Sequence, residues 1–554
     1  MSATPHSGAP LPGRSVLVAG GGSAGMSAAR HLLDLGAQVT IADDRVTTAG
    51  VGAIAGASAM VDRGARLIAV ADLLADPTWA ERTDLVIVSP GFAPDHPLPV
   101  AARAAGLPIW GEVELAWQLD AAGIFGPPRT WLVVTGTNGK TTTTSMLADI
   151  VAASGRACAA CGNIGLPVLD AMAESPRVDV LCAELSSFQL YWAPSIAPSA
   201  GVVLNVADDH LDWHGSFDAY AQAKQIALHG VVGVVGLDDP IAAALPVVGR
   251  RVGFTLSAPA DGELGVRDGE LVDRAFGEAG GVAGVGMAAG TALADAAVIR
   301  PPGPSGLADA LAAAALARSI GIAPDPIRSA LAAFRPAAHR GEVVAERDGI
   351  AFVDDSKATN PHAAQAAIAA HRRVVLIAGG LLKGASLASM LDAVADRLAG
   401  VVAIGRDREL VVAAIARHAP EVPTVSVFTG DDGCVTVQRE LSFPSGVDLP
   451  AAPGASGAPG TSDVSSASAS ASAAAPAAAP GEAAVAVMDR AVHVAWSLAA
   501  AHRGEDRPDA ILLAPAAASL DMFAGYGRRG DAFADAARSL AGEGGAVDAQ
   551  AQRR

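Results

Sequence analysis

The amino-acid sequence predicts an α/β fold of three domains, the first and last Rossmann-like and the central one a mostly parallel sheet behind a phosphate-binding loop. Three observations carry that expectation. Short runs of Val, Ile, Leu and Ala alternate with helix-length amphipathic stretches along nearly the whole chain, as in parallel sheets covered on both faces. Two of the apolar runs lead straight into glycine-rich turns that open helices, at residues 20–25 and 136–142. The 554 residues leave room for three or four domains, each with its own core.

The first unit begins with SVLVAG, a buried-strand run from Ser15, then the turn GGGSAGM and the amphipathic helix SAARHLLDLGA, which Gly36 ends. QVTIADD reads as the second strand, with acids at its carboxyl end. Gly20, Gly22 and Gly25 satisfy G-x-G-x-x-G, and Asp43 follows about 20 residues on. In that arrangement the helix N-terminus faces a diphosphate and the acid faces a ribose, a pattern that NAD, FAD and UDP sites share. DLVIVSPG adds a strand ending in Ser89, Pro90 and Gly91, again at the sheet edge where ligands collect. Gly126-Pro127-Pro128 closes the domain.

The second unit opens with WLVVTGTNGKTTTTSMLADIV, read as strand, loop and helix. Gly136, Thr137, Asn138, Gly139, Lys140, Thr141 and Thr142 form a phosphate loop: backbone N–H groups converge on phosphate, Lys140 supplies charge, and a hydroxyl reaches Mg²⁺. This makes the central domain a P-loop-type ATPase domain, although Val134 stands where a full Walker A has glycine. Glu184 ends the strand VLCAE, a position suited to a Mg²⁺ ligand or to an ordinary strand-end acid. Further on, Ser216 reads as an N-cap, residues 217–228 as a helix and Gly230 as its stop. Lys224 shares a stripe with Phe217, Tyr220 and Leu228, so it faces inward, where desolvation lowers its pKa. A neutral inward amine can capture CO₂ as a carbamate and hold a hard cation; an inward ammonium can equally pair with Asp208, Asp209 or Asp212. His210 is either a second ligand of that cation or a packed strand-end histidine.

The third unit starts near His339 with the strands GIAFVDD, RVVLIAGG, GVVAIG and DAILLAP. From Pro450 to about Ala484 it is interrupted by a stretch without aromatics, Leu or Ile, expected as a disordered insertion. The expected domains are therefore 1–126, 127–337 and 338–554, with the insertion at about 450–484 in the last.

Composition narrows the function classes. The chain is 51% hydrophobic, 17% charged and 4% aromatic, and its net charge of −18 argues against a nucleic-acid groove. Mean hydropathy is +0.35, but the richest window, residues 280–299, is mostly Ala and Gly and contains Asp295, a poor bilayer span. The N-terminal MSATPHSGAP lacks a basic region followed by an apolar run, so no secretory leader and a cytoplasmic location are expected. Of four cysteines, Cys158 and Cys161 form one C-x-x-C without a second pair or a nearby His; packed thiols fit better than zinc. Lys plus Arg total 39, yet only Lys140, Lys224, Lys357 and Lys383 are lysines. A chain that uses Arg for nearly every surface cation has kept Lys where a compact, deprotonable charge is needed.

G-T-N-G-K-T-T, G-N-I-G-L-P (from Gly162), E-L-S-S-F-Q-L, N-V-x-x-D-H-x-D, A-K, His339-Arg340 and D-S-K-A-T-N (from Asp355) follow one another in that order. The chain resembles the Mur ligases of peptidoglycan synthesis, from about Ser15 to Gly542 apart from the insertion. D-S-K-A-T-N is the mark of the members that add D-glutamate, where diaminopimelate- or lysine-adding relatives carry D-N-P-R. The resemblance implies a cytoplasmic, monomeric, ATP-dependent ligase that joins D-glutamate to UDP-N-acetylmuramoyl-L-alanine through an acyl phosphate. It places Ser23, Ala24, Asp43, Arg45, Ser89, Pro90 and Gly91 on the UDP part, and Asn163 and His210 on the rest of that substrate. ATP phosphates would lie on residues 136–142, with Lys140 bridging them and Asp309, Arg340 and Asp355 also on ATP. A pair of Mg²⁺ ions would be held by Thr141 with Glu184 and by His210 with a carbamylated Lys224. Lys357, Thr359, Lys383, Ser519 and Tyr526 would line the D-glutamate site, and the reaction is expected in the cleft between domains.

Two positions depart from the family pattern. Ser305 to Asp309 replaces the usual H-N-x-x-N beside adenine, and an ionised Asp309 offers only acceptors. Tyr526 stands where Phe is common. A folylpolyglutamate synthase would carry its phosphate loop near its start. An NAD oxidoreductase leaves the second loop and the lysines unexplained, and a non-catalytic ATP sensor has only the altered helix start in its favour.

Overall fold

The computed structural model describes residues 11–46, 54–277, 290–430, 433–441 and 480–551. The chain forms two compact units, Met1–Pro302 with Gly306–Phe334, and Gly303–Ser305 with Arg335–Arg554.

The first unit contains two sheets. The smaller runs Arg66–Ala69, Gln38–Asp43, Ser15–Ala19, Leu85–Val88, Ile109–Gly111 in spatial order, all parallel. The larger has nine strands: Thr291–Asp295, Glu270–Asp273, Glu263–Arg267, Arg250–Phe254, Val232–Gly236, Ala200–Val203, Thr130–Thr135, Val180–Glu184 and Cys158–Gly162. Its strands are parallel except where Glu270–Asp273 pairs antiparallel with both neighbours. The expected strands at Ser15, Gln38, Leu85 and Trp131 are all present, because continuous Val/Ile/Leu runs bury both of their faces. One apolar cluster joins the two sheets, with Val16, Val18, Leu32 and Leu115 packed together with Trp131, Val133 and Leu181. Polar groups cross the same junction. Buried Arg129 pairs with Asp120 at 2.7 Å, and Asp120 also accepts from Trp131 Nε1 at 2.9 Å. Asp170 accepts from Ser27 Oγ at 2.5 Å and contacts His31 Nε2 at 2.8 Å.

The second unit holds a seven-stranded sheet in the order Glu342–Arg347, Ile350–Asp354, Ala510–Leu513, Val374–Gly379, Leu398–Ile404, Thr424–Thr429, Val435–Leu441. Only the two edge strands are antiparallel. Alternate residues of Val374–Gly379 enter different apolar clusters, Val375 and Ile377 one and Val374, Leu376 and Ala378 the other, so both faces are covered.

The insertion is shorter than expected at its end. Residues 442–479 lie outside the described residues, but helix Pro480–Ala501 already includes the last positions assigned to the loop, and Ala484 is buried. The apolar stripe Ala484, Val487, Met488, Ala491 packs into the core, and that burial outweighs the low-complexity composition. By length and composition, part of this helix, Gly481–Ala501, passes as a membrane span, yet half of it is buried inside the fold. Most of the expected Ala/Gly window, residues 280–289, is outside the described residues, and the rest includes strand Thr291–Asp295.

Candidate active site

The sheet edges put the chemistry in place. In the first unit the turn after Ser15–Ala19 opens helix Ser23–Asp34. A Cβ on Gly25 would lie 1.9 Å from the carbonyl oxygen of Gly20, so only glycine lets helix and strand approach this closely. Asp43 is held from three sides: Oδ2 accepts from the Gly21 amide at 2.7 Å, and Arg45 reaches both oxygens at 2.8 to 2.9 Å. The Arg45 guanidinium holds this carboxyl down at about 2, so Asp43 stays ionised and fixes the glycine turn. Ser23, Ala24, Asp43, Arg45, Ser89, Pro90, Gly91 and Asn163 all line one cavity of about 530 Å³, together with Phe92, His96, Glu112 and Gln189. His210 is not among its lining residues.

The phosphate loop follows strand Thr130–Thr135 and opens helix Lys140–Ala153. Gly139 is left-handed, with φ +84°, and a Cβ there would lie 2.2 Å from Asp309 Oδ1. Asp309 is 7% exposed and accepts from Thr143 Oγ1 at 3.1 Å, so it braces the loop from beneath. Lys140 Nζ donates to the carbonyls of Gly136 and Thr137, at 3.0 and 2.9 Å. Asn138 and Asn205 exchange hydrogen bonds, and Thr137 Oγ1 meets the Tyr220 hydroxyl at 2.9 Å. Thr141 is half-buried and Thr142 buried in the first helical turn.

Beside this loop, Glu184 is 1% exposed; Oε1 accepts from Asn163 Nδ2 at 2.7 Å, while Oε2 has no partner among the described residues. A buried carboxylate with one open oxygen fits a hard cation, which supplies the missing partner. Among the described residues no three His, Cys, Asp or Glu side chains converge on one point, so Mg²⁺ here would draw its remaining ligands from hydroxyl, water and phosphate oxygens.

Lys224 is inward, as its helical spacing predicts, at 1% exposure on helix Phe217–Gln225, which Ser216 caps through the Ala219 amide. Nζ donates to Gly136 O at 2.7 Å and lies 4.5 Å from the Tyr220 ring centroid. Among the described residues it makes no ion pair with Asp208, Asp209 or Asp212, and its hydrogen bond goes to the loop carbonyl instead. Burial, with Lys140 nearby, pushes its pKa well down. His210 is left-handed (φ 53°) and precedes the short helix Leu211–His214, with Phe188 against its ring. Burial and the charges of Lys224 and Lys140 lower its pKa.

The second unit presents three loops from neighbouring parallel strands: residues 355–360 after Ile350–Asp354, 380–384 after Val374–Gly379, and 514–519 after Ala510–Leu513. Asp355 is pushed up to about 7 by burial, against the pull of Arg340. Lys357 Nζ lies 4.1 Å over the Tyr526 ring. Lys383 is exposed and left-handed, at φ 52°, and Ser519 is buried. Thr359 is half-buried on the first loop. His339, next to Arg340, contacts Asp354 Oδ2 at 2.7 Å.

Three family profiles match the chain: "Mur ligase MurD-like, N-terminal domain" over residues 14–111, "Mur ligase middle domain" over 134–255, and "Mur ligase, glutamate ligase domain" over 339–441. The UDP-N-acetylmuramoylalanine--D-glutamate ligase of Rhodococcus jostii is 50% identical over 535 residues, 96% of each chain. That of Mycolicibacterium smegmatis is 51% identical over 539 residues, covering 96% of this chain and 98% of its own. The chain belongs to the Mur ligase family. Among solved structures, a pseudomurein peptide ligase from Methanothermus fervidus is similar over 94% of this chain and 99% of its own, at 16% identity and a TM-score of 0.48.

Several residues of this Mur ligase's candidate site escaped the sequence reading. Gln189 lies within E-L-S-S-F-Q-L, where its spacing three residues after Ser186 announces only the capping box that the two form. Glu112 looks like a first-turn helix acid, and nothing local reveals that it faces the cavity. Arg529 and the His339–Asp354 pair are joined to their partners across 12 to 173 residues, beyond the reach of any spacing rule.

Proposed function

We propose that this protein is an ATP-dependent ligase that joins D-glutamate to UDP-N-acetylmuramoyl-L-alanine in peptidoglycan precursor synthesis. The observation that carries this reading is likeness along the whole chain: relatives named for that activity are about half identical over 96% of it. The D-S-K-A-T-N loop at residues 355–360 supports the choice of amino acid. The functional domains are taken as 1–126, 127–337 and 338–554, and the protein as a cytoplasmic monomer.

The nucleotide-sugar occupies the cavity beside the first glycine turn. Its diphosphate lies at Ser23 and Ala24, where the unpaired amides of helix Ser23–Asp34 converge, with Arg45 and Asp43 toward the nucleoside and Ser89, Pro90 and Gly91 alongside. Asn163 and His210 face the acyl end. ATP phosphates rest on residues 136–142, where Lys140 exchanges its loop carbonyls for phosphate oxygens. Asp309, Arg340 and Asp355 serve the same nucleotide, Asp309 by holding the loop in shape.

A carboxylate is a poor electrophile, so the γ-phosphoryl group is first passed to the substrate carboxylate, giving an acyl phosphate. The deprotonated amine of D-glutamate then attacks the acyl carbon, and phosphate leaves. Thr141 and Glu184 would hold one Mg²⁺, and His210 with a carbamate on Lys224 would hold a second; bound there, the ions would supply positive charge between phosphate and carboxylate. Lys357, Lys383, Thr359, Ser519 and Tyr526 hold the two carboxylates of the amino acid with cations and hydroxyls.

The test is phosphate release from ATP in the presence of UDP-N-acetylmuramoyl-L-alanine and Mg²⁺, with D-glutamate, L-glutamate, L-alanine, meso-diaminopimelate and L-lysine supplied one at a time. Release with D-glutamate alone, and a product heavier by one glutamyl residue, is expected. Release with another amino acid would overturn the specificity, and silence across the panel would overturn the activity.

A further inference from the structure

Helix Tyr526–Ala551 begins against the three loops of the second unit, and its fourth residue, Arg529, is 1% exposed. Nε donates to Ser356 Oγ at 3.0 Å and Nη2 to Ser356 O at 2.9 Å, while Nη1 donates to Ala517 O at 3.1 Å. One guanidinium thus ties the loop of Lys357 and Thr359 to the loop of Ser519. Other bonds close the frame. Ser356 Oγ donates to Tyr526 O at 2.8 Å, and Leu381 and Ala518 exchange backbone bonds at 2.8 and 2.9 Å, which brings in the loop of Lys383. Gly380 packs so closely that a Cβ would lie 2.2 Å from Ala518 O and 3.3 Å from Arg529 Nη1.

Burying a guanidinium is costly, and burial lowers the pKa of Arg529 to about 10, with Asp521 and Asp354 nearby as opposing charges. Neither makes an ion pair with it among the described residues; its hydrogen bonds go to a hydroxyl and to carbonyls of loops. A residue kept for stability alone would be better replaced by an apolar side chain. The planar fork is needed because it reaches both loops at once.

We propose that Arg529 is a positioning residue for the amino-acid substrate: by fixing Lys357, Thr359 and Ser519 relative to one another, it sets the affinity for a dicarboxylic amino acid and the choice between its enantiomers. This rests on the assignment of those loops to D-glutamate. A single backbone bond, Ala516 N to Ala358 O at 3.0 Å, also links the first and third loops. Discrimination between mirror images, however, depends on placement to within about 1 Å, and the added ties of the guanidinium hold the loops to it.

The experiment is steady-state kinetics of the full chain with Arg529→Lys, Arg529→Ala and the milder Ser356→Ala, varying each substrate in turn. Loss of one loop-to-loop tie is expected to raise the KM for D-glutamate about tenfold or more in Arg529→Lys. KM for ATP and for UDP-N-acetylmuramoyl-L-alanine should stay within about twofold, and turnover with L-glutamate should rise relative to D-glutamate. Ser356→Ala should shift the same quantities in the same direction by less, and added guanidinium should lower the D-glutamate KM of Arg529→Ala. A purely structural arginine would instead lower kcat through loss of active enzyme, leave every KM unchanged and resist rescue; that outcome overturns the proposal. If Arg529→Lys fails to fold, an unchanged D-glutamate KM in Ser356→Ala overturns it equally. Failure of the wild type to use D-glutamate at all would remove the functional reading and this inference together, whereas wild-type activity with indifferent variants removes only the inference.

Discussion

Replacing Gly139 by alanine tests how the phosphate loop is braced. The residue is left-handed at φ +84°, a conformation that costs an L-residue about 1–2 kcal/mol. The new methyl would also lie 2.2 Å from Asp309 Oδ1, so the carboxylate must withdraw and release Thr143 Oγ1, now 3.1 Å away. A hydrogen bond to a charged group contributes about 1.5–3 kcal/mol, so the expected total loss of stability is about 2.5–5 kcal/mol. Asp309→Ala alone strands the buried Thr143 hydroxyl and should cost about 1–3 kcal/mol. With both changes the collision disappears, and the double variant should cost about 1.5–3 kcal/mol less than the sum of the singles. Urea unfolding of the full chain followed by tryptophan fluorescence reads this directly, because six of the seven tryptophans (Trp79, Trp110, Trp117, Trp131, Trp192 and Trp213) lie in the first unit. Additivity of the two changes within about 0.5 kcal/mol would refute the contact between Asp309 and the loop.

Lys140→Ala should abolish turnover while leaving the melting curve of the first unit in place; near-normal activity would remove the phosphate loop from the mechanism. Lys224→Ala should be inactive yet partly restored by a short carboxylic acid such as acetate, and the native protein should carry extra mass of one CO₂ on Lys224. Absence of both would leave Lys224 a plain buried amine. Glu112 provides a pH test. Burial raises its carboxyl from 4.5 to about 7, so between those values the folded chain holds a proton that the unfolded chain has lost. Its contribution therefore falls as pH rises through this window and is level above it, by about 3 kcal/mol at most. Glu112→Gln has no such proton, so its stability relative to wild type should climb from pH 4.5 to 7; a flat difference would place the titration elsewhere.

Much of this was legible because the decisive signals are local. The glycine turn at residue 20, the phosphate loop and the inward stripe of Lys224 each follow from spacing over fewer than twenty residues. The strand ends at Asp43, Glu184 and Asp354 were readable for the same reason, since apolar runs stop where the sheet meets solvent or ligand. The partner of Lys224 is set only in three dimensions, where its amine donates to Gly136 O across 88 residues. The resemblance alone places Asp309 on ATP; its contacts with Thr143 and Gly139 lie far along the chain and carry no local signal. Glu112 and Arg529 gave no sign of their partners, since Leu169, whose amide Glu112 accepts at 2.9 Å, and Ser356 are set by packing between remote segments. The end of the insertion is illegible in sequence because an Ala-rich stretch is ambiguous until a core is available to cover one side of it.

The apolar cluster shared by the two sheets of the first unit bears on what can be cut or exchanged. A fragment ended at residue 126 would keep its glycine turn and most of the wall beside it, yet it would expose Val113, Leu115, Ala116 and Leu119 and strand Asp120 without Arg129 and Trp131. Such a piece would clump instead of serving as a portable nucleotide-sugar binder. Grafting a foreign N-terminal segment onto the rest of the chain would require recutting both sides of that seam, so the recognition of the sugar nucleotide and the handling of phosphate have to be inherited together.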